Sequence, residues 1–79
     1  MKLPAIKKLV QQHTIAELRQ AEDALLNEQT PAIAIDGDDE GEQLTHIIGA
    51  IEILENIEKG TAEKDALRAF TQRVRNSIS

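Results

Sequence analysis

Residues 42–59 limit the possible folds more than any other segment. Set on a helix of about 3.6 residues per turn, Leu44, Ile47, Ile48, Ile51 and Leu54 form one apolar stripe, and His46, Ala50, Ile53 and Ile57 form a second beside it. More than half of the circumference is apolar, so this helix has to be covered on more than one side. Glu52, Glu55 and Glu58 interrupt the pattern, and no apolar run reaches the roughly 20 residues needed to cross a bilayer. The segment therefore reads as the centre of a helical bundle.

The rest of the chain supplies short helices to cover it. Pro4 suits the first turn of a helix running to about Gln12, with Leu3, Ile6, Leu9 and Val10 on one side. Thr14 and Glu17 have the spacing of a capping box, which starts a second helix over about 15–29, ended by Pro31 and striped by Ile15, Leu18, Ala21 and Leu25. Over residues 32–36 Ile33 and Ile35 alternate with small or polar neighbours, a short extended segment that either pairs with its own copy or lies in a groove between helices. Asp36–Gly41 is an acidic turn, Gly60 is placed to end the central helix in the left-handed conformation, and Thr61 is placed to cap a fourth helix over about 62–77. That helix carries Leu67, Phe70, Val74 and Ile78 on one narrow side.

The fold class is thus all-α: a single domain over residues 1–79, built as a bundle of about four helices with one short extended segment. Its core is thin, because Phe70 is the sole aromatic residue and cysteine is absent, so no disulfide reinforces it. A monomeric core of this size rarely contributes more than about 3–5 kcal/mol. Three short amphipathic helices leave part of residues 42–59 uncovered, and a second copy across a two-fold axis, giving a homodimer, is the expected completion.

Charge narrows the function classes. A net charge of -5 opposes default binding to nucleic acid or to an anionic membrane. The start of the chain lacks a continuous apolar stretch of the signal-peptide type, so the expected location is the cytoplasm. Lys2, Lys7 and Lys8 cluster at the start, Arg68, Arg73 and Arg75 near the end, and most acids lie between, so the two ends can pair with the middle.

Three constellations carry candidate chemistry. Asp36, Asp38, Glu40 and Gly41 match the opening positions of an EF-hand loop, but Ile47 stands where the bidentate Glu belongs. A turn and a helix N-terminus favouring carboxylates explain the same residues more simply. Glu42 and His46, one turn apart, have the spacing of two metal ligands and would become four across a dimer axis; the plainer account is a first-turn acid and a hydrogen-bonded core histidine. His13, beside Thr14, reads as a helix-end residue. Lys64, Arg68 and Arg75, with Thr71 among them, line one polar side of the fourth helix and suit a phosphate or carboxylate, or else pair with Glu22, Glu55 or Glu58. There is no glycine-rich phosphate loop and no aromatic interleaving for nucleic acid, and a helix-turn-helix reader lacks base-reading side chains. No nucleophile is set up for covalent catalysis, and acid–base chemistry would rest on His46, Glu42 and Arg68 alone. No catalytic residue and no cofactor is assigned.

The segment Asp39–His46, the opening Leu3–Leu9 and the ending Thr71–Ser79 resemble a family of short, acidic, uncharacterised bacterial proteins. The resemblance spans nearly the whole chain. It implies a free-standing small protein and assigns no activity, cofactor or functional residue. The first functional expectation is a non-enzymatic homodimer that presents its acidic loop to a protein partner. The second is a small-ligand or metal-binding protein, or an enzyme, with Glu42 and His46 at a site formed on or across the dimer.

Overall fold

A computed structural model describes residues 2–78, with side chains through Asn76. It contains α1 (Leu3–Gln12), α2 (Ile15–Leu26), α3 (Glu40–Glu58) and α4 (Glu63–Ile78), and among the described residues there is no strand. Helix α3 is the hub: α1, α2 and α4 each pack chiefly against it.

Local chemistry sets most of the boundaries. Pro4 lies in the first turn of α1, where its missing N–H costs nothing. Both halves of the capping box form at the start of α2: the Thr14 hydroxyl accepts from the Glu17 N–H at 3.2 Å, and the Glu17 carboxylate accepts from the Thr14 N–H at 3.0 Å. Two helices end alike. At the end of α3, Gly60 takes φ 107° while its N–H donates to the Ile57 carbonyl and the Thr61 N–H donates to that of Asn56. This pair of bonds is a Schellman motif.

Three boundaries differ from the sequence expectation. Helix α2 stops at Leu26 rather than near residue 29, because Glu28 adopts φ 58° and the same two bonds form, from Glu28 to Leu25 and from Gln29 to Ala24. Pro31 was not needed to stop it. Helix α3 starts at Glu40, two residues before 42, because Asp39 acts as its N-cap, its carboxylate accepting from the Glu42 N–H at 2.7 Å. Helix α4 starts at Glu63, with the Ala62 carbonyl accepting from Ala66, one residue beyond the place a Thr61 cap requires. Residues 32–36 form no strand; Ile33 and Ile35 are half-buried against the core, as the groove alternative required.

The core closes within one chain. Ile6, Leu18, His46, Ile47, Ala50, Ile53 and Ala66 are fully inaccessible, and Leu9, Val10, Ala21, Leu25, Ile51 and Phe70 complete the cluster. Leu44, Leu54 and Ile57 are half-buried, leaving Ile48, at 54% exposure, as the one large apolar residue of α3 in solvent. Three helices cover both stripes except at Ile48, and a glycine in α3 admits the close approach. A Cβ on Gly49 would lie 2.8 Å from Phe70 Cζ and 3.3 Å from Ile6 Cδ1, so the bare backbone there is what seats α4 and α1 on α3 together. The expected need for a second copy to finish the core is therefore not a packing requirement. The side chain of Ile78, assigned by sequence to the α4 stripe, lies outside the described residues.

Candidate functional site

The Glu42 and His46 pair is spent on structure. His46 is fully buried, its Nδ1 2.7 Å from the Asp36 carbonyl and its Nε2 3.0 Å from the Lys2 backbone nitrogen. A backbone N–H can only donate, so Nε2 accepts and Nδ1–H donates to Asp36, which defines the tautomer. Both nitrogens tie chain segments to α3, and neither offers a lone pair to a metal. The Glu42 carboxylate accepts from the Asp38 N–H at 3.1 Å. Among the described residues no group of three or more His, Cys, Asp or Glu is placed to hold a metal ion.

The acidic loop is similarly committed. Asp38 pairs with Lys2 at 3.7 Å and Asp36 with Lys8 at 3.6 Å, while Asp39 caps α3. The cationic start thus neutralises the acidic middle, as the charge pattern suggested. These pairs are exposed and each contributes about 0–1 kcal/mol, but they occupy the carboxylates that an EF-hand reading would have assigned to calcium. His13 sits at the C-cap of α1, its Nδ1 3.8 Å from a Glu17 oxygen, consistent with a helix-end role.

Lys64, Arg68 and Arg75 behave differently. All three are exposed, and among the described residues none of their side chains has a hydrogen bond or ion pair. Glu55, one of their expected partners, is taken by Arg19 at 3.5 Å, and Arg73 pairs with Glu52 of α3 while lying over the Phe70 ring at 5.9 Å. Helix α4 therefore carries two kinds of cation: Arg73 on the α3 side is used in packing, and the stripe on the far side is free.

That stripe borders a groove. Helices α1 and α4 both lean on α3 and meet each other little, and Leu3, Pro4, Lys7, Leu67 and Thr71 line the depression of about 410 Å³ between them. Gln11 closes one end by donating to Glu63 at 3.3 Å. The Thr71 hydroxyl is satisfied by donating to the Leu67 carbonyl at 2.8 Å. Leu3 is 37% exposed and Leu67 half-exposed, so the floor is apolar, and the rim is cationic through Lys7, which also lacks a described partner, and the α4 stripe. Lys64, Arg68 and Arg75 are legible from spacing alone, whereas Leu3 and Lys7 as their neighbours are not. Their leucine-plus-lysine spacing at the edge of α1 becomes a signal only once the antiparallel register of α1 on α4 is known.

Residues 1–79, the whole chain, match the protein family described as a family of unknown function, DUF6952. The chain belongs to that family. Comparison with curated proteins and with solved structures gave no match. Membership in DUF6952 agrees with the resemblance seen at the two ends and in residues 39–46, and it carries no activity. No helix among the described residues is long and apolar enough to cross a membrane.

Proposed function

We propose that this chain is a non-enzymatic protein-interaction module of the cytoplasm, with the α1/α4 groove as its docking surface. The observation that carries the reading is the set of four exposed cations without a described partner, Lys7, Lys64, Arg68 and Arg75, around an apolar floor of Leu3 and Leu67. Of the other cations, Lys2, Lys8, Arg19 and Arg73 each meet a carboxylate, and Lys59, at the C-cap of α3 and away from the groove, is exposed without a described partner. An amphipathic segment with apolar anchors and flanking carboxylates fits such a groove, its leucine-sized side chains on the floor and its acids on the rim.

A labelled synthetic helix of leucine and glutamate, followed by fluorescence anisotropy, tests this. Binding should weaken at least tenfold between low and high salt and should be lost in the double variant Arg68→Glu/Arg75→Glu. Both positions are exposed, so the fold should persist, since surface changes of this kind stay within about 0.5 kcal/mol. If the unaltered protein fails to bind the acidic helix, or binds it equally well with both arginines reversed, the reading is wrong.

A further inference from the structure

We infer that the groove takes a second copy of this chain, which docks the C-terminal end of its α2 there in a head-to-tail contact. The inference rests on the docking role proposed for the α1/α4 groove and names its occupant. Leu26 is the most exposed large apolar residue described, at 63%, and Ile48 is exposed at 54%. Arg19 lies opposite Glu55 in the antiparallel α2/α3 pair. Because the two helices rise equally per residue, two turns further on Leu26 comes opposite Ile48. The two exposed apolar residues therefore make one knob.

The knob is acidic. Glu22, Asp23 and Glu28 surround Leu26 along the chain, and among the described residues none of their carboxylates has a partner. The negative end of the α2 dipole adds to this field. Within one molecule these acids and the free cations of the groove belong to different helix pairs and do not meet. Between two molecules each satisfies the other: Leu26 and Ile48 on Leu3 and Leu67, and the acids against Lys7, Lys64, Arg68 and Arg75. Knob and groove are different surfaces, so every docked copy presents a fresh groove and a fresh knob, and the assembly grows as a ring or a chain. The contact rests on a few apolar anchors and on exposed charge pairs that salt screens, so association is concentration-dependent and salt-sensitive.

Sedimentation velocity on three proteins decides the matter: the unaltered chain, a groove variant Arg68→Glu/Arg75→Glu, and a knob variant Leu26→Gln/Ile48→Gln. The unaltered protein should form a series of oligomers whose association weakens at least tenfold in high salt. Each variant alone should be monomeric, whereas an equimolar mixture should give a one-to-one dimer and nothing larger, because one intact knob meets one intact groove. A mixture that fails to pair while the unaltered protein associates would establish a different contact and overturn the inference. An unaltered protein that stays monomeric yet binds the acidic helix would overturn self-docking and leave the groove reading intact; failure of both would remove both.

Discussion

Replacing Gly49 with Ala is expected to reveal how α3 holds two neighbours at once. In an exposed helix interior this change would stabilise by about 1 kcal/mol, because glycine has the larger backbone entropy to lose. Here the new methyl would sit 2.8 Å from Phe70 Cζ, 3.2 Å from Phe70 Cε1 and 3.3 Å from Ile6 Cδ1. The Ile6 methyl is a flexible tip, but the Phe70 ring is buried at 8% exposure and is the sole aromatic residue of the core. Overpacking of this kind costs about 1–3 kcal/mol. Taking about 2 kcal/mol for the displaced ring leaves a net loss near 1 kcal/mol, or about 4–8 °C in melting temperature for a domain this small. Phe70→Leu removes the atoms that clash, so in that background Gly49→Ala should turn stabilising by about 0.5–1 kcal/mol, a coupling within the range that contacting residues show. Urea unfolding of the four proteins of the cycle, followed by circular dichroism, measures it. A Gly49→Ala variant more stable than the unaltered protein would refute the claim that this glycine seats Phe70.

Other expectations follow from single residues. Glu28→Gly should stabilise by about 1 kcal/mol, because a side chain at φ 58° bears the left-handed penalty that glycine avoids; thermal unfolding reads it, and a loss would mean the α2 C-cap is held by the Glu28 side chain. His46→Leu strands the Lys2 N–H and the Asp36 carbonyl and should cost about 2–4 kcal/mol; zinc and a chelator should leave the melting temperature of the unaltered protein unchanged, and a rise with zinc would contradict the structural role given to this histidine. The Glu17 carboxyl is held below its ordinary value of 4.5, first by the Thr14 N–H and then by the Thr14 hydroxyl and His13, against an opposing loss of hydration. Its contribution to stability is thus present above pH 4.5 and lost as the pH falls through the lowered value. Glu17→Gln keeps the box without the titration, so the stability difference between the two proteins should move against the unaltered one on acidification, and a constant difference would show that the box is not charge-dependent.

Much of the architecture is legible along the chain because it is local. Pro4, the Thr14 and Glu17 box and Gly60 act on their own turns, and the period of Leu, Ile and Val picks out most of the buried positions, with Leu3 and Ile48 the stripe residues left in solvent. Where the sequence misleads, a second local signal competes with the expected one: Asn27–Gln29 complete a Schellman motif before Pro31 can act, and Asp39 captures the first turn of α3 ahead of residue 42. Identity alone ranks neither, since the outcome depends on which bonds the neighbouring backbone can also satisfy.

The candidate site shows the same division. Residue type and spacing were enough to mark Lys64, Arg68 and Arg75 as cations sharing a side of one helix, and equally enough to mark Glu42 and His46 as a ligand-like pair. Tertiary packing alone separates them: it brings the Lys2 and Asp36 backbone to the two nitrogens of His46, while it gives the α4 stripe no described carboxylate. It also decided that one chain closes its own core, through the contact of Gly49 with Phe70. Sequence by itself determined that the chain is helical and where its apolar faces lie, because hydrogen-bonded turns and periodicity span only a few residues. Which polar groups are spent and which remain free was decided by the tertiary structure, because that depends on contacts between residues far apart in the chain.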